Sequence, residues 1–155
     1  MISVWRAEDS RGHGIYWGNT PFGGSYMGTA AEAVKNRTGR RFGVGRGIHP
    51  LPDTDIGREW SYRADSCDFY FGFESLEKAR EWLYDDDVNA ELTSLGIEVV
   101  RYEVDEEDVL FGKAQVAFRR GNATLVERLP MSCLRQPAQP SLAAEFALQR
   151  SRDCA

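Results

Sequence analysis

Five residues, Phe69-Tyr70-Phe71-Gly72-Phe73, constrain this chain more than any other stretch. Four aromatic side chains in five positions fit a buried β-strand. Directly after them, Ser75 fits a helix N-cap and Glu77 complements the dipole of a first turn. Leu76, Ala79, Trp82 and Leu83 then recur on one helical face, to about Tyr84. A strand that runs straight into an amphipathic helix predicts an α+β domain. At 155 residues the chain is one domain with at most a tail, and 42% hydrophobic residues suffice for a core.

The flanking segments extend this reading. Ile2 to Ala7 reads as a strand with Ile2, Val4 and Arg6 on one face and Ser3, Trp5 and Ala7 on the other. Arg6 therefore shares a face with apolar residues, where it needs either an ion-pair partner such as Glu74 or Glu103, or an open pocket that receives an anion. Glu8 to Arg63 is a long Gly-rich segment with a short helix from Thr29 to about Asn36 and an extended or turned His49-Pro50-Leu51-Pro52-Asp53. Long irregular segments often carry function, so the ligand site is expected there. Beyond Asp85-Asp86-Asp87 a second helix has Val88, Leu92 and Leu95 as its stripe and Gly96 at its C′ position. Ile97 to Val104 is a strand. Ala114–Arg119 and Thr124–Leu129 read as a hairpin around Arg120-Gly121-Asn122. Pro130, Pro137 and Pro140 mark an exit. The expectation is one domain over 1–130 and an extension over 131–155, in which Ser141 caps a short helix bearing Leu142 and Phe146.

Charge is unevenly placed. The net charge is −5, yet residues 67–118 hold fourteen Asp/Glu against four Lys/Arg, whereas the segments on either side are net basic. Arg outnumbers Lys sixteen to three, the composition suited to bidentate contact with phosphate or carboxylate. A basic loop would bind an anion and an acidic face would meet a basic partner. The overall negative charge disfavours a nucleic-acid platform. No run of 18 apolar residues suggests a membrane span. The first residues lack a basic start followed by an apolar run, so a cytoplasmic location is expected.

Cys67, Cys133 and Cys154 form no CxxC, and with only His13 and His49 no zinc pattern assembles. There is no GxxxxGK[ST], GxSxG or HExxH. Gly43-Val44-Gly45-Arg46-Gly47 resembles a phosphate loop, but Pro50 and Pro52 follow where a Rossmann helix would begin. Backbone N–H groups there, with Arg46, could still grip an anion. His13, between Gly12 and Gly14, has little packing from its neighbours and could approach a ligand. Most acids sit at helix starts; Glu74 stands apart at the junction Phe73-Glu74-Ser75.

Read in order, these pieces resemble small phage or prophage members of the ADP-ribosyltransferase superfamily. The quoted elements are the first strand with Arg6, the Gly-rich segment, the aromatic strand and helix, and the strands Glu98–Val104 and Gln115–Phe118. The resemblance implies a mainly antiparallel mixed sheet with two or three helices and long Gly-rich loops. It implies NAD as ligand, bound by Arg6, His13, Tyr16, Ser75 and Arg46. The family's catalytic acid falls at Ala117, so Gln115, or a carboxylate elsewhere such as Glu74 or Glu103, would have to serve. Neutral Gln115 is a poor base, and general-base loss alone is worth ~10²–10⁴-fold in rate. The transferase reading, in which a host protein is modified, therefore stands beside a second. There the chain is a non-enzymatic phage inhibitor that binds a host defence protein through its acidic segment. A third reading is an accessory protein docking through its C-terminal helix.

Overall fold

The first strand organises the molecule. In the computed structural model, which describes residues 1–15, 30–39, 52–57, 68–83 and 85–135, β1 (Ile2–Glu8) lies between two sheets. On one side it pairs antiparallel with β3 (Glu98–Val104), in register from Ile2 opposite Val104 to Glu8 opposite Glu98. On the other side Trp5 and Phe73 exchange two backbone hydrogen bonds of 2.7 Å. That bridge joins the sheet β1-β3-β6 to the sheet β2-β5-β4. Here β2 is Phe69–Gly72, β4 Val109–Phe111, β5 Val116–Arg119 and β6 Thr124–Leu129. The named strand pairs are all antiparallel.

Strand alternation gives each face its own core. Ala7, Phe73 and Val99 pack with Val34 of α1 (Ala30–Thr38), Ala79 and Leu83 of α3 (Leu76–Leu83), and Val88 and Leu92 of α4 (Asp86–Ser94). Val4, Val100, Tyr102, Val104, Val109, Val116 and Phe118 form a second cluster on the opposite face. Tyr102 and Phe118 come from different sheets, yet their rings stand 5.5 Å apart. The second face is thus filled by the two sheets themselves.

The helices form for local reasons that were visible in the chain. Ser75 Oγ accepts the Lys78 N–H at 3.2 Å and caps α3. Asp85 Oδ1 accepts from Asp87 and Val88 and caps α4. Gly96 takes φ 75° just beyond α4, a conformation that costs glycine nothing.

Several expectations need correcting. The expected strands at 114–119 and 124–129 exist, the first only from Val116, but they do not form a hairpin. Their strand cores β5 and β6 join different sheets, because the 3-10 turn Arg120–Asn122 carries the chain across. The turn is anchored by Asn122, which donates to Asp108 at 2.8 Å. Strand β4 was unforeseen; three residues are too few for periodicity to register. Of the segment expected to be extended or turned, Pro52 and Asp53 open a one-turn helix, α2 (Pro52–Asp55). Leu95 is exposed as the C-cap of α4, and Trp82 is only partly buried, its ring tilted by 58° against that of Phe73. Core packing continues past 130, since Met131 and Leu134 are buried. The expected helix after Ser141, the Gly43–Gly47 loop and His49 lie outside the described residues. The α+β class holds, but the ADP-ribosyltransferase-like arrangement is not confirmed by this pair of small sheets.

Candidate anion-binding site

β1 ends on the side chain that gathers the most charge. Glu8 follows Arg6 on the same face and is fully buried. Its Oε2 accepts from Arg6 Nε at 2.9 Å, and its Oε1 from the Tyr102 hydroxyl at 2.5 Å and from an Arg120 terminal nitrogen at 3.2 Å. Arg128, brought opposite Val100 by β6, places a nitrogen 3.8 Å from the same oxygen and another 3.2 Å from Glu98. Arg6 also donates to the Phe71 carbonyl at 2.5 Å. Three guanidinium groups therefore surround one buried carboxylate, with half-buried Glu98 taking part of the third.

Aromatic faces and glycines complete the enclosure. The Arg120 guanidinium lies 5.6 Å from the Tyr70 ring centre and 5.2 Å from that of Tyr102, and Arg6 lies 5.1 Å from Tyr70, within cation–π range. The loop of residues 9–14 folds back over these cations. Asp9 Oδ1 accepts the N–H groups of Arg11 and His13, both at 2.9 Å. Gly12 lies against the Arg120 guanidinium, where a Cβ would come within 2.6 Å, and Gly14 lies as closely against that of Arg6. A side chain at either position would require the guanidinium or the loop to shift.

The electrostatics follow from this packing. Burial pushes the Arg6 pKa down despite Glu8, but a guanidinium stays charged in any ordinary solvent. Burial would also lower Arg120, yet Glu8 and Tyr102 outweigh it and raise its pKa. Burial, together with the hydrogen bond to Glu8, pushes Tyr102 up to about 12. Desolvation raises Asp9, but the two backbone N–H groups overcome it and hold the carboxyl below its usual value. Arg120 Nε is buried without an acceptor among the described residues. Among the described residues, the cluster offers three guanidinium groups against the carboxylates of Glu8 and Glu98, on donors already oriented.

The chain can now be placed among known proteins. The model of the bacteriophage T4 Y00F protein family matches residues 1–132. The chain belongs to that family. No curated protein and no solved structure matches it. The match makes this a phage protein, and it covers β1, β6 and every residue of the cation cluster.

Within this phage protein the described residues expected to bind NAD stand as follows. Arg6 is in the cluster, but its partner is Glu8, not Glu74 or Glu103. His13 lies on the covering loop, its Nδ1 3.5 Å from Asp9. Ser75 caps α3, and Glu74 pairs with Lys78 at 2.5 Å. Gln115 is buried, and its backbone N–H donates to Asp55. Tyr16 and Arg46 lie outside the described residues. No group of three metal-ligating side chains occurs among the described residues, and no described helix is long and apolar enough to cross a membrane.

Sequence reasoning missed Glu8, Tyr102, Arg120 and Arg128. A signal existed for Glu8, which continues the Arg6 face by one step of two; ending the strand at Ala7 hid it. Arg120 carried none, because its place depends on a turn that crosses between sheets.

Proposed function

We propose that this phage protein binds an anionic ligand of the phosphate-bearing, nucleotide class at the guanidinium cluster, and that it works by binding rather than by ADP-ribose transfer. The observation that carries the reading is the charge surplus: three arginines face one buried carboxylate, and Arg120 Nε has no acceptor among the described residues. Arginine forks suit phosphate oxygens, and Tyr70 and Tyr102 already hold a planar cation.

NAD falls within this ligand class. Its cleavage needs a carboxylate free to stabilise charge developing on the ribose. In the cluster that carboxylate is Glu8, which already accepts from two arginines and a tyrosine, so binding without transfer is the better reading. A host-protein partner remains a second reading, favoured by the exposed carboxylates Glu77, Glu81, Asp86 and Asp87 on α3 and α4.

A thermal-shift series with NAD, ADP-ribose, AMP and inorganic phosphate tests the first reading. Ligand at a hundredfold Kd stabilises the folded chain by ~2.7 kcal/mol. Arg128→Gln removes a half-exposed donor and should weaken binding ~10-fold or more, the worth of one charge-assisted hydrogen bond. No shift with any of the four at millimolar concentration would remove the reading. Nicotinamide release from NAD would restore the transferase.

A further inference from the structure

The turn between β4 and β5 grips a carboxylate in a way that the cation cluster does not use. Asp55, the last residue of α2, lays its carboxylate across three successive backbone N–H groups. Oδ1 accepts from Lys113 at 2.9 Å and Oδ2 from Gln115 at 2.9 Å. Ala114 lies between them, at 3.2 Å and 3.1 Å from the two oxygens. Consecutive N–H groups that converge in this manner make a concave nest for an anion.

The sheet and α3 build the nest. The Gly112 N–H donates to the Gln115 carbonyl at 2.9 Å and closes the turn. Lys78 Nζ, from α3, donates to the Lys113 carbonyl at 2.8 Å. A trans peptide sets its C=O and N–H on opposite sides. Drawing the Lys113 oxygen toward Lys78 therefore aims the Ala114 N–H at the carboxylate. Gly112 leaves the space: a Cβ there would run into the Asp55 carboxylate and stand 2.8 Å from the Gln115 carbonyl oxygen. The donors thus belong to one part of the fold and the acceptor to another, a four-residue helix.

We propose that the Gly112–Gln115 turn is an oxyanion receptor with Asp55 as its tethered occupant, so that an external carboxylate or phosphate entering the nest releases α2 from the sheet. The nest is shaped for two oxygens on one atom, which both groups supply. A tethered carboxylate acts at an effective concentration in the millimolar range or above, so an external anion competes only at similar concentration or with added contacts of its own. The proposal does not depend on the ligand of the cation cluster, since the two share no residue.

Asp55→Ala empties the nest without touching its donors. The test titrates this variant and the wild type with sodium acetate and with sodium phosphate, against sodium chloride at equal ionic strength. The expected result is a saturable rise in the melting temperature of Asp55→Ala, several degrees beyond that of the wild type. The amide resonances of Lys113, Ala114 and Gln115 should move with the same midpoint. A response to acetate alone identifies a carboxylate receptor, and a response to phosphate alone a phosphate receptor. Equal behaviour of variant and wild type, with unmoved amides, overturns the proposal. If Asp55→Ala does not fold, the wild type is titrated by NMR to several hundred millimolar phosphate. Displacement of Asp55 then appears as concerted shifts at Asp55 and at residues 113–115, and their absence rejects the receptor.

Discussion

Glu8 concentrates more consequence than any other residue of the described structure. It is the common acceptor for Arg6, Arg120 and Tyr102, and Arg128 approaches it. Removing a buried partner leaves uncompensated charge, so Glu8→Ala should cost ~3–5 kcal/mol in urea unfolding. Arg128→Ala should cost only ~1 kcal/mol or less, because that arginine is partly solvated. Arg6→Lys keeps the charge but cannot reach both Glu8 and the Phe71 carbonyl, and should cost ~1–3 kcal/mol. Tyr102 adds a pH dependence. Its folded pKa, about 12, lies above the ordinary tyrosine value of 10. The folded state therefore holds the proton more tightly between those values. The stability it contributes is complete below pH 10 and is lost as pH rises toward 12. Tyr102→Phe should flatten that part of an alkaline unfolding profile. At this scale the sequence showed that Arg6 must face inward, because alternation is local. It did not show the partner network, because Tyr102 and Arg120 lie some ninety residues or more along the chain from Glu8.

Elements were more legible than their neighbours. The α3 helix, its Ser75 cap, the α4 stripe at Val88 and Leu92 and the Gly96 terminator could each be read from spacing, since each rests on contacts within a few residues. Strand partners could not. β5 and β6 look like a hairpin in sequence, and only the anchoring of Arg120 and Asn122 sends them to separate sheets. Two substitutions probe the element scale. Asp85→Ala removes the side-chain acceptor of α4 and should cost ~1 kcal/mol, whereas Asp87→Ala, which makes no such cap, should stay within ~0.5 kcal/mol. Thermal unfolding of the pair distinguishes capping from plain surface charge. Trp82→Ala should fall short of the ~3–5 kcal/mol of a fully buried aromatic, because Trp82 keeps part of its ring in solvent.

For the molecule as a whole, the division of the chain into core and extension is open to a truncation test. Met131 and Leu134 close the helical side of the core. A chain ending at Pro130 should be less stable than one ending at Arg135 by ~2–5 kcal/mol or more, the range for deleting one such buried side chain. Comparable melting curves for the two would place the boundary at 130 after all. The central place of β1 has a consequence in time. During synthesis it emerges ahead of its partners, Phe73 and residues 98–104. At about 5–20 residues per second, roughly five to twenty seconds of translation separate the birth of β1 from that of β3. Throughout that interval Ile2 and Val4 lack the β3 residues they pair with, Val104 and Tyr102, and the nascent chain depends on its surroundings to keep that edge from pairing elsewhere.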